Sequence, residues 1–198
     1  MGRNNIRFIG IDTNIDLINK CRLAASALEY TNMEFYNGNI IDCPVEYKTD
    51  IVYSLHACDT ATDQTILKGI MTNAVYILSV SCCQHFTGSQ MKGHPLTNIT
   101  RFSHYKTRMV DMVSDSLRAL LLESHGYKVD IFEFTPQKNT PKNIMLRAEK
   151  INMTDKKRSQ AFDEYKRLSD IFHVKPALEF YLSELNSLHK TCLSNKGK

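Results

Sequence analysis

The feature that most constrains this chain is an alternation of short apolar runs with amphipathic stretches across its first 150 residues. Short strands separated by helices of this kind bury their apolar faces best as a layered α/β domain with a largely parallel sheet. The first run, Ile6 to Ile11, ends in Asp12, and the spacing predicts a helix over Asn14 to Glu29 with Leu17, Ile18, Cys21, Ala25 and Leu28 on one face. Met33 to Tyr36 reads as a second strand closed by the turn pair Asn37-Gly38, and Asp50 to Leu55 as a third. A polar run from His56 to Asp63 follows, then a short helix over Gln64 to Met71 and a fourth strand, Ala74 to Val80.

Beyond that strand lies a long polar connection from Ser81 to about Ser103; connections of such length in compact domains are usually functional or mobile. The clearest helix spans Tyr105 to His125, with an expected apolar stripe of Tyr105, Met109, Met112, Val113, Leu117, Leu120 and Leu121, and Gly126 as its stop. Lys128 to Phe134 and Asn143 to Ala148 form a strand pair whose connection makes it antiparallel at the edge of the sheet. From residue 151 onward the pattern is helical only. Phe162, Tyr165, Leu168 and Phe172 form one stripe and Leu178, Tyr181, Leu182, Leu185 and Leu188 another. The expected organisation is an α/β domain over 1–150 and a helical extension over 151–198 packed on it, since so short a piece makes a marginal core alone.

Composition narrows the setting. No apolar run approaches the roughly 20 residues of a membrane helix, and the first residues lack a signal-peptide pattern. The six cysteines, without a secretory leader, read as reduced thiols, so the expected location is cytoplasmic. The net charge of +4 divides unevenly: residues 1–100 carry −2 and residues 101–198 carry +6. A basic half suits a polyanion such as RNA, although the charges are spread in the manner of an ordinary solvated surface.

Chemically distinctive residues gather where strands end, and in open parallel sheets ligands bind at the carboxyl ends of the strands. Asp12 there suits either a ribose diol or the N-cap of the following helix. Asn39 and Ile40, after the second strand, offer an amide and an apolar shelf to a base ring, or form an ordinary loop. The third strand delivers His56, Cys58, Asp59 and Thr60; the fourth delivers Ser81, Cys82, Cys83, Gln84 and His85. If the two strands are neighbours, two histidines and three cysteines converge. That convergence admits a zinc site, although the spacings are not those of a common zinc module. It also admits a nucleophilic thiolate, or a cofactor and substrate pocket that these side chains shape and hydrogen-bond without direct chemistry. The last is the favoured reading.

Three segments in order, Leu55-His56-Ala57-Cys58-Asp59, then Ser81-Cys82-Cys83-Gln84-His85, then Thr140-Pro141-Lys142-Asn143, resemble a class I S-adenosylmethionine-dependent methyltransferase family whose members carry LHACD and PCCQH segments. The resemblance covers roughly residues 6–150, with Ser81 standing where that family usually has proline. It implies a seven-stranded Rossmann-like sheet with an antiparallel edge hairpin, and S-adenosyl-L-methionine as cofactor. Asp12 would hold the cofactor's ribose, Asn39 and Ile40 would flank adenine, and His56, Cys58 and Asp59 would line the methyl-transfer cleft. Cys82, Cys83, Gln84 and His85 would face the substrate, with Asp59 or His85 as base, and Thr140 to Asn143 would lead into the last strand.

Such a fold normally opens with a strand and a glycine-rich loop before the acidic strand, whereas this sequence starts at the acidic strand and none of its eight glycines forms a G-x-G. The expectation is an N-terminally incomplete sheet whose cofactor binding depends on an upstream segment or a partner chain. Two further readings stand beside a methyltransferase of unspecified methyl acceptor. One is a non-catalytic remnant or subunit of a split methyltransferase. The other is an RNA-binding module using the basic half, Lys156-Lys157-Arg158 included.

Overall fold

A computed structural model describes residues 6–44, 48–136, 138–140 and 142–194, with side chains through residue 185. Of the features read from sequence, the N-terminal residues 1–5, Pro141 and the side chains of Leu188 and Cys192 lie outside it. The chain divides into two compact units between Tyr47 and Lys48. Among the described residues the architecture is the expected α/β, with six strands in a two-stranded and a four-stranded sheet. The sequence supplies six extended segments, and all six form strands.

In the smaller unit, strand β1 (Phe8–Asp12) pairs in parallel with β2 (Met33–Asn37), from Phe8 opposite Met33 to Asp12 opposite Asn37. The crossover is helix α1 (Ile15–Ala27), which packs against both. Asn14 caps it by accepting from the backbone N–H of Asp16 and Leu17, so the cap is Asn14 and not Asp12. Only Ile18 and Ala25 of the expected stripe are buried; Leu17 and Leu28 are exposed, because two short strands cover little of the helix. Gly10 sits where a Cβ would come within 2.8 Å of the Phe35 ring, a close approach that a larger residue would prevent.

The larger unit carries a four-stranded sheet in the order β3-β4-β6-β5. Strands β3 (Ile51–Ala57) and β4 (Tyr76–Ser81) are parallel neighbours joined by helix α2 (Thr60–Met71). The 81–103 connection holds two short helices, α3 (His85–Gln90) and α4 (Thr97–Thr100), before the long α5 (Ser103–Ser124). Strands β5 (Tyr127–Glu133) and β6 (Ile144–Lys150) form the expected hairpin, with β6 inserted antiparallel against β4 and β5 left at the edge. Ile66, Ile77, Val80, Leu117, Leu121, Leu122 and Tyr127, each almost wholly buried, make the core between sheet and helices. The Tyr127 hydroxyl donates to the carbonyls of Ala74 and Gly69 at 3.0 and 3.3 Å, fastening β5 to the α2–β4 turn.

Helix α6 (Asp155–Phe172) packs along α5, and α7 (Ala177–Ser194) lies against α2 through buried Leu178 and Leu182. Two sequence expectations shift here. Helix α2 begins at Thr60 and not near Gln64, because Thr62 and Asp63 are buried: the Thr62 hydroxyl donates to Ala57 O at 2.9 Å and Asp63 meets a buried arginine. On α5 the buried face is Val110, Val113, Ser114, Leu117, Arg118, Leu121 and Leu122, while Tyr105 and Met112 are exposed. That rotation follows from the same arginine, Arg118, which faces inward. No helix among the described residues is long and apolar enough to cross a membrane.

Candidate functional site

Because β3 and β4 are adjacent and parallel, their carboxyl ends share one rim, and the two polar clusters lie side by side. The strand ends are shaped locally. The pairing register slips between Leu55 and Ala57, a bulge that puts His56 at φ +57°, and Asp59 turns at φ +51°, ψ −115°. Non-glycine residues in such conformations cost of order 1–3 kcal/mol each and gather at functional sites. Between them, Cys58 is delivered with its Sγ 3.0 Å from Cys82 Sγ. The sulfurs of Cys58, Cys82 and Cys83 all lie within 4.8 Å of one another. Cys58 is exposed and the other two partly so, and no disulfide is formed.

The Cys82 Sγ also reaches the His56 carbonyl oxygen at 3.4 Å. Cys82 beside it raises the Cys58 thiol above its ordinary range; burial, then Cys58, does the same to Cys83. Both carboxylate oxygens of Asp59 lie 3.0 Å from the Phe86 backbone N–H and accept from it, so the loop after β3 grips the start of α3. His56 and His85 are exposed, and neither joins the sulfur trio among the described residues. Of the two histidines and three cysteines expected to converge, the cysteines do.

Beneath this rim lies a buried polar network that sequence reasoning missed. The Arg118 guanidinium, 2% exposed, donates from Nε to Asp63 Oδ1 at 2.8 Å and from Nη2 to Asp63 Oδ2 at 3.2 Å. Its Nη1 donates to Gln84 Oε1 at 2.8 Å and its Nη2 to the Asp59 carbonyl at 3.3 Å. Gln84 Nε2 in turn donates to Ser81 Oγ at 2.7 Å and Asp115 Oδ1 at 3.3 Å, while Ser114 Oγ donates to Gln84 Oε1 at 2.8 Å. Gln84, expected to face the substrate, is therefore buried and committed to the scaffold. Burial opposes the Arg118 charge, but Asp63 and then Asp115 outweigh it and keep the guanidinium protonated. Burial pushes the Asp63 and Asp115 carboxyls up, against the pull of the same guanidinium.

Arg118 is thus a positioning residue for both strand ends. The signal for it was present: Ser114 and Arg118, four apart, interrupt the apolar face of the strongest helix in the sequence.

The other expected residues belong to the smaller unit. Asp12 ends β1, and its Oδ1 accepts from Asn14 N at 2.7 Å while Oδ2 takes no hydrogen bond among the described residues. The Asn37 side chain donates to the carbonyls of Asp12 and Thr13, and Gly38 N donates to Asp12 O. Asn39 Oδ1 accepts from Ile41 N at 2.9 Å, which sets the loop holding Asn39 and half-buried Ile40. Asp12, Asn39 and Ile40 therefore gather at the carboxyl end of the β1–β2 pair. Lys142 and Asn143 lead into β6 as expected; Lys142 Nζ pairs with Asp111 Oδ2 at 2.7 Å and Asn143 Nδ2 donates to Thr135 O at 2.8 Å.

Comparison with known proteins gives a partial match in sequence. Residues 1–90 match the family model described as a methyltransferase domain, a span from β1 through α3 that includes all of the strand-end residues above. No curated protein matches the chain. Among solved structures, a SAM-dependent methyltransferase from Aquifex aeolicus aligns at 13% identity and TM-score 0.37, covering 72% of this chain and 66% of its own. The methyltransferase domain of bacterial CtHen1-C aligns at 12% identity and TM-score 0.44, covering 73% and 77%. The YcgJ protein from Bacillus subtilis aligns at 10% and 0.41, covering 74% and 83%. The chain spans just under two thirds of the Aquifex protein's length. Over its first 90 residues, then, this chain is similar to a methyltransferase domain.

Proposed function

We propose that this chain is an S-adenosyl-L-methionine-dependent methyltransferase domain. The observation that carries the reading is the family match over residues 1–90, because every residue with a proposed role falls inside it. In the smaller unit, Asp12 is the group for the cofactor's ribose hydroxyls. Its Oδ2 has no hydrogen bond among the described residues, at a strand end where sugar diols are held in open α/β sheets. Asn39 and Ile40 are the groups for the base.

In the larger unit, His56, Cys58, Asp59, Cys82, Cys83 and His85 line the transfer cleft. Bound S-adenosylmethionine would supply an electrophilic methyl group on a sulfonium, transferred in line to the acceptor's lone pair. The residues contribute chiefly by holding the acceptor in that line. For a nitrogen or oxygen acceptor, Asp59 or exposed His85 takes the proton released as the new bond forms.

Isothermal titration calorimetry with S-adenosylmethionine and S-adenosylhomocysteine tests the reading. Saturable binding of both is expected once a strand and a glycine-rich loop are joined upstream, weakened at least about tenfold in Asp12→Ala, since a hydrogen bond to a charged group contributes about 1.5–3 kcal/mol. Absence of saturable binding to either ligand, or binding indifferent to Asp12→Ala, would overturn it.

A further inference from the structure

Among the described residues, the three sulfurs at the β3–β4 rim form the only group of three or more metal-ligating side chains with its donor atoms within 4.8 Å of one another. They come from two strand ends 24 residues apart, which is why no familiar ligand spacing is visible along the chain. We propose that Cys58, Cys82 and Cys83 form a binding site for a thiophilic divalent cation, zinc foremost, with one coordination position left open.

Zinc–sulfur bonds of about 2.3 Å at tetrahedral angles set sulfurs about 3.8 Å apart. In the trio, Cys58–Cys82 is shorter than that, at 3.0 Å, and no pair is farther apart than 4.8 Å. Small side-chain rotations reach it. A disulfide would use two of the thiols and strand the third, whereas three protein ligands and an open fourth position are the pattern of a zinc that meets exogenous ligands. Exposed Cys58 puts that position on the solvent side.

The surroundings are built to hold the trio in place. The bulge at His56 and the turn at Asp59 aim Cys58 toward Cys82. The Asp59 carbonyl is tied to Arg118, and Gln84, next to Cys83, is tied to Arg118, Ser114, Ser81 and Asp115. Outer hydrogen bonds of this sort orient ligands and tune affinity about 10–100-fold in known metal sites. The inference does not depend on methyl transfer: the cation site stands or fails on the sulfurs alone.

The test uses the full chain, reduced and stripped with chelator, titrated with cobalt(II) and then zinc. The expected result is saturation at a single equivalent with thiolate-to-cobalt charge-transfer absorption and tetrahedral d–d bands, both abolished by an equivalent of zinc. In maleimide labelling read by mass spectrometry, zinc should protect Cys58, Cys82 and Cys83 but not Cys21. Cys58→Ser, at an exposed position and with folding checked by circular dichroism, should weaken zinc at least about tenfold, and Cys21→Ser should not. Cobalt spectra without thiolate absorption, spectra unchanged in Cys58→Ser, or labelling of the three thiols unaltered by zinc would each overturn the proposal. The labelling measurement needs no variant, so a misfolded mutant leaves it intact.

Discussion

Replacing Arg118 with methionine keeps an unbranched apolar stem and deletes the guanidinium. Four contacts go with it: the two-point pair with Asp63, the bond to Gln84, the bond to the Asp59 carbonyl and the longer contact with Asp115. Asp63, whose side chain is 3% exposed, is left among Thr62, Ile66 and the α5 core with no counter-charge. Removing one member of a buried ion pair costs about 3–5 kcal/mol, mainly through the charge left behind. Against the 5–15 kcal/mol that holds a typical domain together, that is a large share.

Urea unfolding followed by circular dichroism measures the loss. The double variant Asp63→Asn with Arg118→Met should recover part of it, because the stranded charge is gone. The loss should also depend on pH. Without the guanidinium, burial and then the nearby Asp59 charge act on Asp63 and raise its folded pKa above the unfolded value of about 3.9. A carboxyl raised in this way favours the fold below the unfolded pKa and loses that contribution as pH climbs through the folded pKa. The deficit of Arg118→Met should therefore shrink as the medium is acidified toward about pH 4. A loss below about 1 kcal/mol, the scale of an exposed ion pair, or a double variant as unstable as the sum of the singles, would refute the reasoning.

Two other perturbations follow from the same structure. Gly69 lies where an added Cβ would sit 2.5 Å from the Ile77 side chain, so Gly69→Ala should destabilise by about 1–3 kcal/mol through overpacking, read as a lowered unfolding midpoint. His125, at the end of α5, donates from Nδ1 to the Leu121 carbonyl at 2.8 Å, and burial, then Lys150 and Arg158 nearby, hold its pKa below the ordinary histidine value. A depressed histidine resists protonation in the fold, so wild-type stability should fall as pH drops below about 6.5. His125→Asn should lose that slope; an unchanged slope would count against the assignment.

Much of this arrangement could be read from the chain because it is local. Parallel neighbours joined by a short helical crossover put the ends of Ile51–Ala57 and Tyr76–Ser81 on one rim, where the bulge at His56 and the turn at Asp59 then bring Cys58 to Cys82. Hydropathy fails where a polar side chain is buried by a distant partner. Arg118 lies 55 residues from Asp63, so the break it makes in the apolar face does not name its partner, and the expected stripe shares Val113, Leu117 and Leu121 with the buried face but not Tyr105 and Met112. Gln84 was misplaced for the same reason. The insertion of β6 between β4 and β5 was likewise not legible, since a hairpin fixes its own pairing but not which of its strands meets the sheet.

The Gln84 carboxamide has a further consequence. Its oxygen accepts from Ser114 and Arg118, and its nitrogen donates to Ser81 and Asp115. Turning that amide over would point its N–H groups at a cation's N–H and its oxygen at a carboxylate, so only one orientation is stable. The platform carrying the thiols is consequently a stiff template, and an incoming molecule must conform to it. Little ordering entropy is then lost from the protein side on binding, and selection among candidate ligands falls to shape.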